Sequence, residues 1–83
     1  MKAIIENRIN CTILEKTEAL VNLINDIQDC ENEKELRERF SSENEYTVWY
    51  SAFFEIGFGS NHMWVKERVN RSVSDKRLIL VEF

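Results

Sequence analysis

The chain has 83 residues and a formal net charge of −4; 43% of its residues are hydrophobic and 31% charged, the make-up of a single globular domain spanning 1–83. No apolar run approaches the ~18 residues of a membrane span, and the start MKAIIENRIN lacks the apolar core of a signal peptide. A cytoplasmic protein is therefore expected. Residues 1–45 carry eleven acids and six bases while 46–83 carry four and five, a balance that disfavours a generic nucleic-acid binder, which is basic overall.

The first element is read from Ile5, Ile9, Ile13, Leu20, Leu23, Ile24 and Ile27, which fall within about a 100° arc at helical spacing. One helix over roughly 2–30 fits them. A competing start lies at TILE, where Thr12 and Glu15 form a capping-box pattern. The longer helix would extend about 43 Å, against a domain diameter of roughly 30 Å. Its overhang would need cover, so a homodimer is expected; a start at Ile13 removes that argument. Cys11 and Cys30 on one helix would be about 28 Å apart, too far to bridge, and are expected to be reduced.

A short helix over 33–41 follows. Asn32 caps it, Glu35 occupies the third position, and Leu36 and Phe40 share one face. The acidic run from Asp26 to Glu45 reads as a solvated face.

Residues 46–56, YTVWYSAFFEI, alternate as a strand does, with aromatic and β-branched residues throughout. The rival reading is a helix opened by Ser42 and Glu45, with Trp49, Tyr50, Phe53 and Ile56 inward. HMWVKERVN and RLILVEF make two further strands, joined by a polar turn at NRSVSDK. GFGS then connects two strands, and its glycines supply the positive φ of a hairpin. No helix follows it, so it is no phosphate loop. The expected fold is α+β: a long N-terminal helix and a short second helix packed on a three-stranded antiparallel sheet, in the order α-α-β-β-β.

Chemistry is sparse. A lone histidine and two unpartnered cysteines build no zinc site. No P-loop, H-E-x-x-H or G-x-S-x-G is present, and no cofactor or catalytic residue is assigned. Glu55, Glu67 and Glu82 lie mid-strand, where a wet face or pairing with Arg68 or Arg77 accommodates them; the sharper reading is an acid in a small cleft. His62 and Asn61 belong to the rim of the hairpin.

The strand reading carries the functional expectation. If Tyr50, Phe54 and Ile56 pack beneath the helices, Trp49 and Phe53 point to the uncovered side, and a shared face with Trp64, Lys66 and Arg68 is the natural registry. An aromatic patch with a basic rim marks a contact site. The bland alternative is that another layer covers this face. The expectation is a non-enzymatic protein that binds another protein through Trp49, Phe53, Trp64, Lys66 and Arg68, an inhibitor or regulator of the kind common in phages and mobile elements. The alternatives are single-stranded nucleic-acid binding by stacking plus Lys and Arg, and an acidic DNA mimic.

Overall fold

A computed structural model describes residues 1–10, 13–41 and 44–83, without the side chain of Tyr46. The elements run β1 (Ile4–Ile5), α1 (Leu14–Asp29), α2 (Glu33–Arg39), α3 (Glu45–Tyr50), β2 (Phe54–Phe58), β3 (His62–Val69) and β4 (Ser72–Glu82). The α+β class holds, with helices packed on an antiparallel sheet. The sheet has four strands in the order β1-β4-β3-β2, so the expected three-stranded meander gains the short β1 at one edge.

The N-terminal helix is the first correction. It begins at Leu14, and Ile4–Ile5 before it form a strand, with Ile4 opposite Leu80 and Ile5 opposite Ile79. The physical reason is the outer edge of β4, whose carbonyls need donors: Glu6 N–H donates to the Leu78 carbonyl at 2.9 Å, and Asn7 Nδ2 to the Arg77 carbonyl at 2.6 Å. Helical winding of residues 2–10 would forfeit these bonds. The sixteen residues of α1 span about 24 Å, within a molecule of 31 × 24 × 19 Å, so the overhang argument for a second copy lapses. Cys11, and the capping residues Thr12 and Ser42, lie outside the described residues.

The second correction concerns residues 46–56. Positions 45–50 are helical and only 54–58 pair with β3. Helix and turn bring Tyr50 and Phe54, four residues apart, into one core, where both are fully buried. The coil also lets the Tyr50 hydroxyl donate to Asp26 Oδ2 at 2.5 Å and the Thr47 hydroxyl to the Arg39 carbonyl. The third correction is at the turns. No described glycine has a positive φ; the left-handed residue is Asn70, φ 57°, in the tight turn between β3 and β4. Residues 72–76, expected in a turn, already belong to β4. The α2 reading holds: Asn32 Oδ1 accepts from Glu35 N, and Leu36 and Phe40 are buried.

The core lies between the helices and one face of the sheet. Ala19, Leu23 and Ile27 of α1 and Leu36 of α2 meet Phe54, Met63, Val65, Ile79 and Val81. A bulge sets Val65 opposite Ile79 but Lys66 opposite Arg77, so Leu78 and Ile79, neighbours in sequence, are both buried. One polar contact interrupts this apolar layer. Lys16, 5% exposed, reaches Glu67, 2% exposed: Nζ stands 3.0 Å from Oε2 and donates to the Arg68 carbonyl at 2.7 Å. Asn10 N–H donates to the other oxygen, Oε1, at 2.7 Å.

Glu67 was expected on a wet face or beside Arg68 or Arg77; it is on the core face and bound to α1. A buried pair with its lone pairs filled is tolerated, but removing one partner strands a charge at a cost of about 3–5 kcal/mol. A chain of this length has roughly 4–12 kcal/mol in total. Lys16→Met is therefore expected to lose about 3–5 kcal/mol in urea denaturation, and Lys16→Met with Glu67→Leu to recover much of it. Unchanged midpoints for Lys16→Met would show that the pair holds nothing.

Candidate functional site

The structure divides the five sequence-predicted contact residues between two surfaces. Trp64, Lys66 and Arg68 do share one face of β3, the face opposite the core. Trp49 and Phe53 are elsewhere, because the helical turn of α3 carries Trp49 to the helical side. There its ring lies 5.0 Å from that of Tyr50 and 6.0 Å from that of Phe53, and Phe53 packs half-buried against the core.

On the outer sheet face two arginines are matched by carboxylates. Arg68 pairs with Glu55, Arg77 Nε stands 2.8 Å from Glu6, and Lys66 Nζ lies 5.1 Å from the centre of the Trp64 ring. Trp64 is opposite Gly57 on β2 and Leu80 on β4. A Cβ on Gly57 would run into the Trp64 indole, and one on Gly59 into the His62 imidazole. Both glycines thus leave room for a ring to lie on backbone. The hairpin is closed by Gly59 N–H to the His62 carbonyl at 2.8 Å, and by Arg37, whose guanidinium donates to the Gly59 carbonyl and lies over Phe58 and Phe83. This face is solvated, two of its arginines face carboxylates, and its largest hydrophobe, Trp64, is half-buried.

On the helical side ion pairs form at α2, Arg37 with Glu33 and Arg39 with Asp26, but not at Glu18 or Glu45 among the described residues. A groove of about 520 Å³ runs between α1 and α3, lined by Asn22, Asn25, Asp26, Glu45, Trp49 and Tyr50. Trp49 is 47% exposed at its edge and Val48 62%. A smaller hollow of about 310 Å³, lined by Thr17, Glu18, Val21 and Asn22, joins it at Asn22, and Val21 is 53% exposed. Sequence reasoning missed Val21, Val48 and Glu45. The available signal was Val21, an apolar residue standing off the buried stripe of α1.

Other chemistry is committed elsewhere. The acidic cleft formed by Asp26, Asp29, Glu35 and Glu38 includes Arg39, and no group of acids, histidine or cysteine among the described residues has the arrangement of a metal site. Glu82 is at the exposed end of β4, opposite His62. Cys30 closes α1, its backbone N–H bonded to the Ile27 carbonyl, and its buried Sγ donates to the Asp26 carbonyl at 3.3 Å. Burial pushes the Cys30 thiol above its ordinary 9.0; Arg39 pulls it down, and Glu35 and Asp26 push it up. Met1 N donates to the Cys30 carbonyl at 2.7 Å, at the end of a helix that has no base in its last turn. Among the described residues no helix is long and apolar enough to cross a membrane.

Residues 1–81 match the family model described as Domain of unknown function (DUF8466), and the chain belongs to that family. No curated protein and no solved structure matches it.

Gly57→Ala is expected to lose about 1–3 kcal/mol by overpacking against the indole, and Trp64→Ala in the same chain to relieve most of that loss; thermal melts of the single and double variants separate the two terms. The raised Cys30 thiol means that the folded state holds its proton more tightly than the unfolded one. Stability from this group is complete below 9.0 and falls as pH rises past it. Cys30→Ala should flatten the alkaline limb of a stability–pH curve.

Proposed function

We propose that this chain is a non-enzymatic module that binds another protein, and that the α1–α3 groove around Trp49 is the contact surface. The observation that carries the reading is a tryptophan left nearly half exposed at the edge of a groove, with exposed Val48 preceding it in α3 and exposed Val21 in the adjoining hollow. Tryptophan dominates binding hot spots because it removes a large rigid area from water at small entropic cost. Contact by a sheet face bearing all five aromatic and basic residues is replaced by contact through the helical side, since Trp49 and Trp64 are on different surfaces. The non-enzymatic part is supported by the commitments of the acids: Glu67 holds Lys16 and Asn10, and Glu55 holds Arg68. A module of this kind regulates by occupying its partner's surface.

Single-stranded nucleic acid is disfavoured because phosphate contact sets most of such affinity, and Arg68 and Arg77 already face carboxylates.

A photo-crosslinking residue at position 48, in the cell that makes the protein, is expected to trap a protein partner. The adduct should be lost with Trp49→Ala or Asn25→Arg, and a crosslinker at Val73, on the outer sheet face, should not form it. Loss of about 2 kcal/mol at a hot spot is roughly a 30-fold loss of affinity. Adducts to nucleic acid, or the same adduct from position 73, would refute the reading; circular dichroism of each variant checks the fold.

A further inference from the structure

The sign of the exposed charge around the groove narrows its partner. α1 and α3 together carry Glu15, Glu18, Asp26, Asp29 and Glu45, and the one base on either helix is Lys16. Lys16 is buried and turned to Glu67. No base lines either the groove or the hollow that joins it at Asn22. Asp26 is partly occupied, by the Tyr50 hydroxyl and by Arg39 at 4.0 Å, but Glu18 and Glu45 form no ion pair among the described residues. The outer sheet face differs in kind, with Arg68 and Arg77 each beside a carboxylate.

The length of the depression gives a second constraint. From Glu18 to Asp26 along α1 the two hollows extend for about 12 Å, some two turns of a docked helix. Apolar surface lies along this path at Val21 and Trp49, with a carboxylate from each helix: Glu18 of α1 in the hollow and Glu45 of α3 in the groove. That is the complement of an amphipathic helix with aliphatic residues on one face and lysine or arginine beside them. Long-range attraction between opposite patches also speeds encounter and falls with salt.

Building on the protein-binding reading, we infer that the α1–α3 groove takes a basic amphipathic helix of its partner, one aliphatic side chain lying on the Trp49 ring and cationic side chains reaching Glu45 and Glu18. Trp49 supplies a π-face as well as area, so a lysine or arginine stem crossing it gains contact along its length.

The test uses the full chain and two synthetic peptides of identical pattern, about four helical turns each, one of leucine and lysine, the other of leucine and glutamate. In ¹⁵N-resolved spectra the leucine–lysine peptide is expected to move the Trp49 indole Nε1–H and the amides of Asn22 and Asn25. The Trp64 indole, assigned with Trp64→Phe, stays still. Affinity should drop several-fold from low to physiological salt, and at least tenfold in Glu18→Lys with Glu45→Lys, both exposed positions where the melting curve is expected to hold. Equal binding of the leucine–glutamate peptide, shifts centred on Asp29, Glu35 and Glu38 or on Trp64, or no binding of either peptide would overturn the inference. Its failure is separable from failure of the wider reading: a position-48 adduct with an acidic or uncharged partner keeps the groove as a protein contact and removes only the basic helix. Loss of both adduct and peptide binding removes the two together.

Discussion

The pair between Lys16 and Glu67 is the constraint on which the other contacts of this domain depend. It joins the first turns of α1 to the middle of β3 and ties the N-terminal arm to both through Asn10. An apolar core accepts many registers of similar energy, because burial is nearly indifferent to which methyl group meets which. A buried carboxylate accepts few, since sliding α1 by one residue would leave both charges desolvated and apart. The Arg68 carbonyl takes a second ammonium proton, so the lysine is held at two points. In a domain this small, one such polar anchor fixes how the helix lies on the sheet.

From that placement follows a molecule with two unlike surfaces. Helices cover one face of the sheet, and the other is left to water. Its charges answer one another, and Trp64 lies over a glycine, where it shields backbone. Arg37 works similarly at the hairpin, where it fills the space between Phe58 and Phe83 with a flat cation that also bonds the Gly59 carbonyl. On the helical surface Arg37 and Arg39 of α2 answer Glu33 and Asp26, but Glu18 of α1 and Glu45 of α3 form no ion pair among the described residues. The one base of α1 and α3, Lys16, is withdrawn into the core, while Asp26 and Glu45 line the groove beside Trp49. The anchor that orients the helix therefore also leaves the groove without a cation.

The amphipathic stripe of α1 from Leu20 to Ile27, the whole of α2 with its Asn32 cap, and the strands around Val65 and Ile79 were legible in the sequence, because each rests on contacts within a few residues or on a strong local period. So was the common face of Trp64, Lys66 and Arg68, since alternation along a strand places every second side chain alike. The extended arm was not. Its isoleucines at positions 5, 9 and 13 continue the helical spacing, and only the unfilled edge of β4, more than seventy residues away, makes the extended form the better one. Residues 46–56 satisfy both periods at once; the bond from Tyr50 to Asp26 across 24 positions helps decide for the helix.

What the amino-acid order determined by itself was the class of fold, the local elements with strong caps and periods, and the acidic bias of the front half. What only the tertiary structure decided was where the ambiguous segments went, which acid was buried, and which tryptophan faced a groove. The physical reason is range. Caps, turns and periods are settled by neighbours along the chain, whereas edge pairing, the match of a buried charge and the exposure of a ring depend on residues that meet only after the chain has closed on itself.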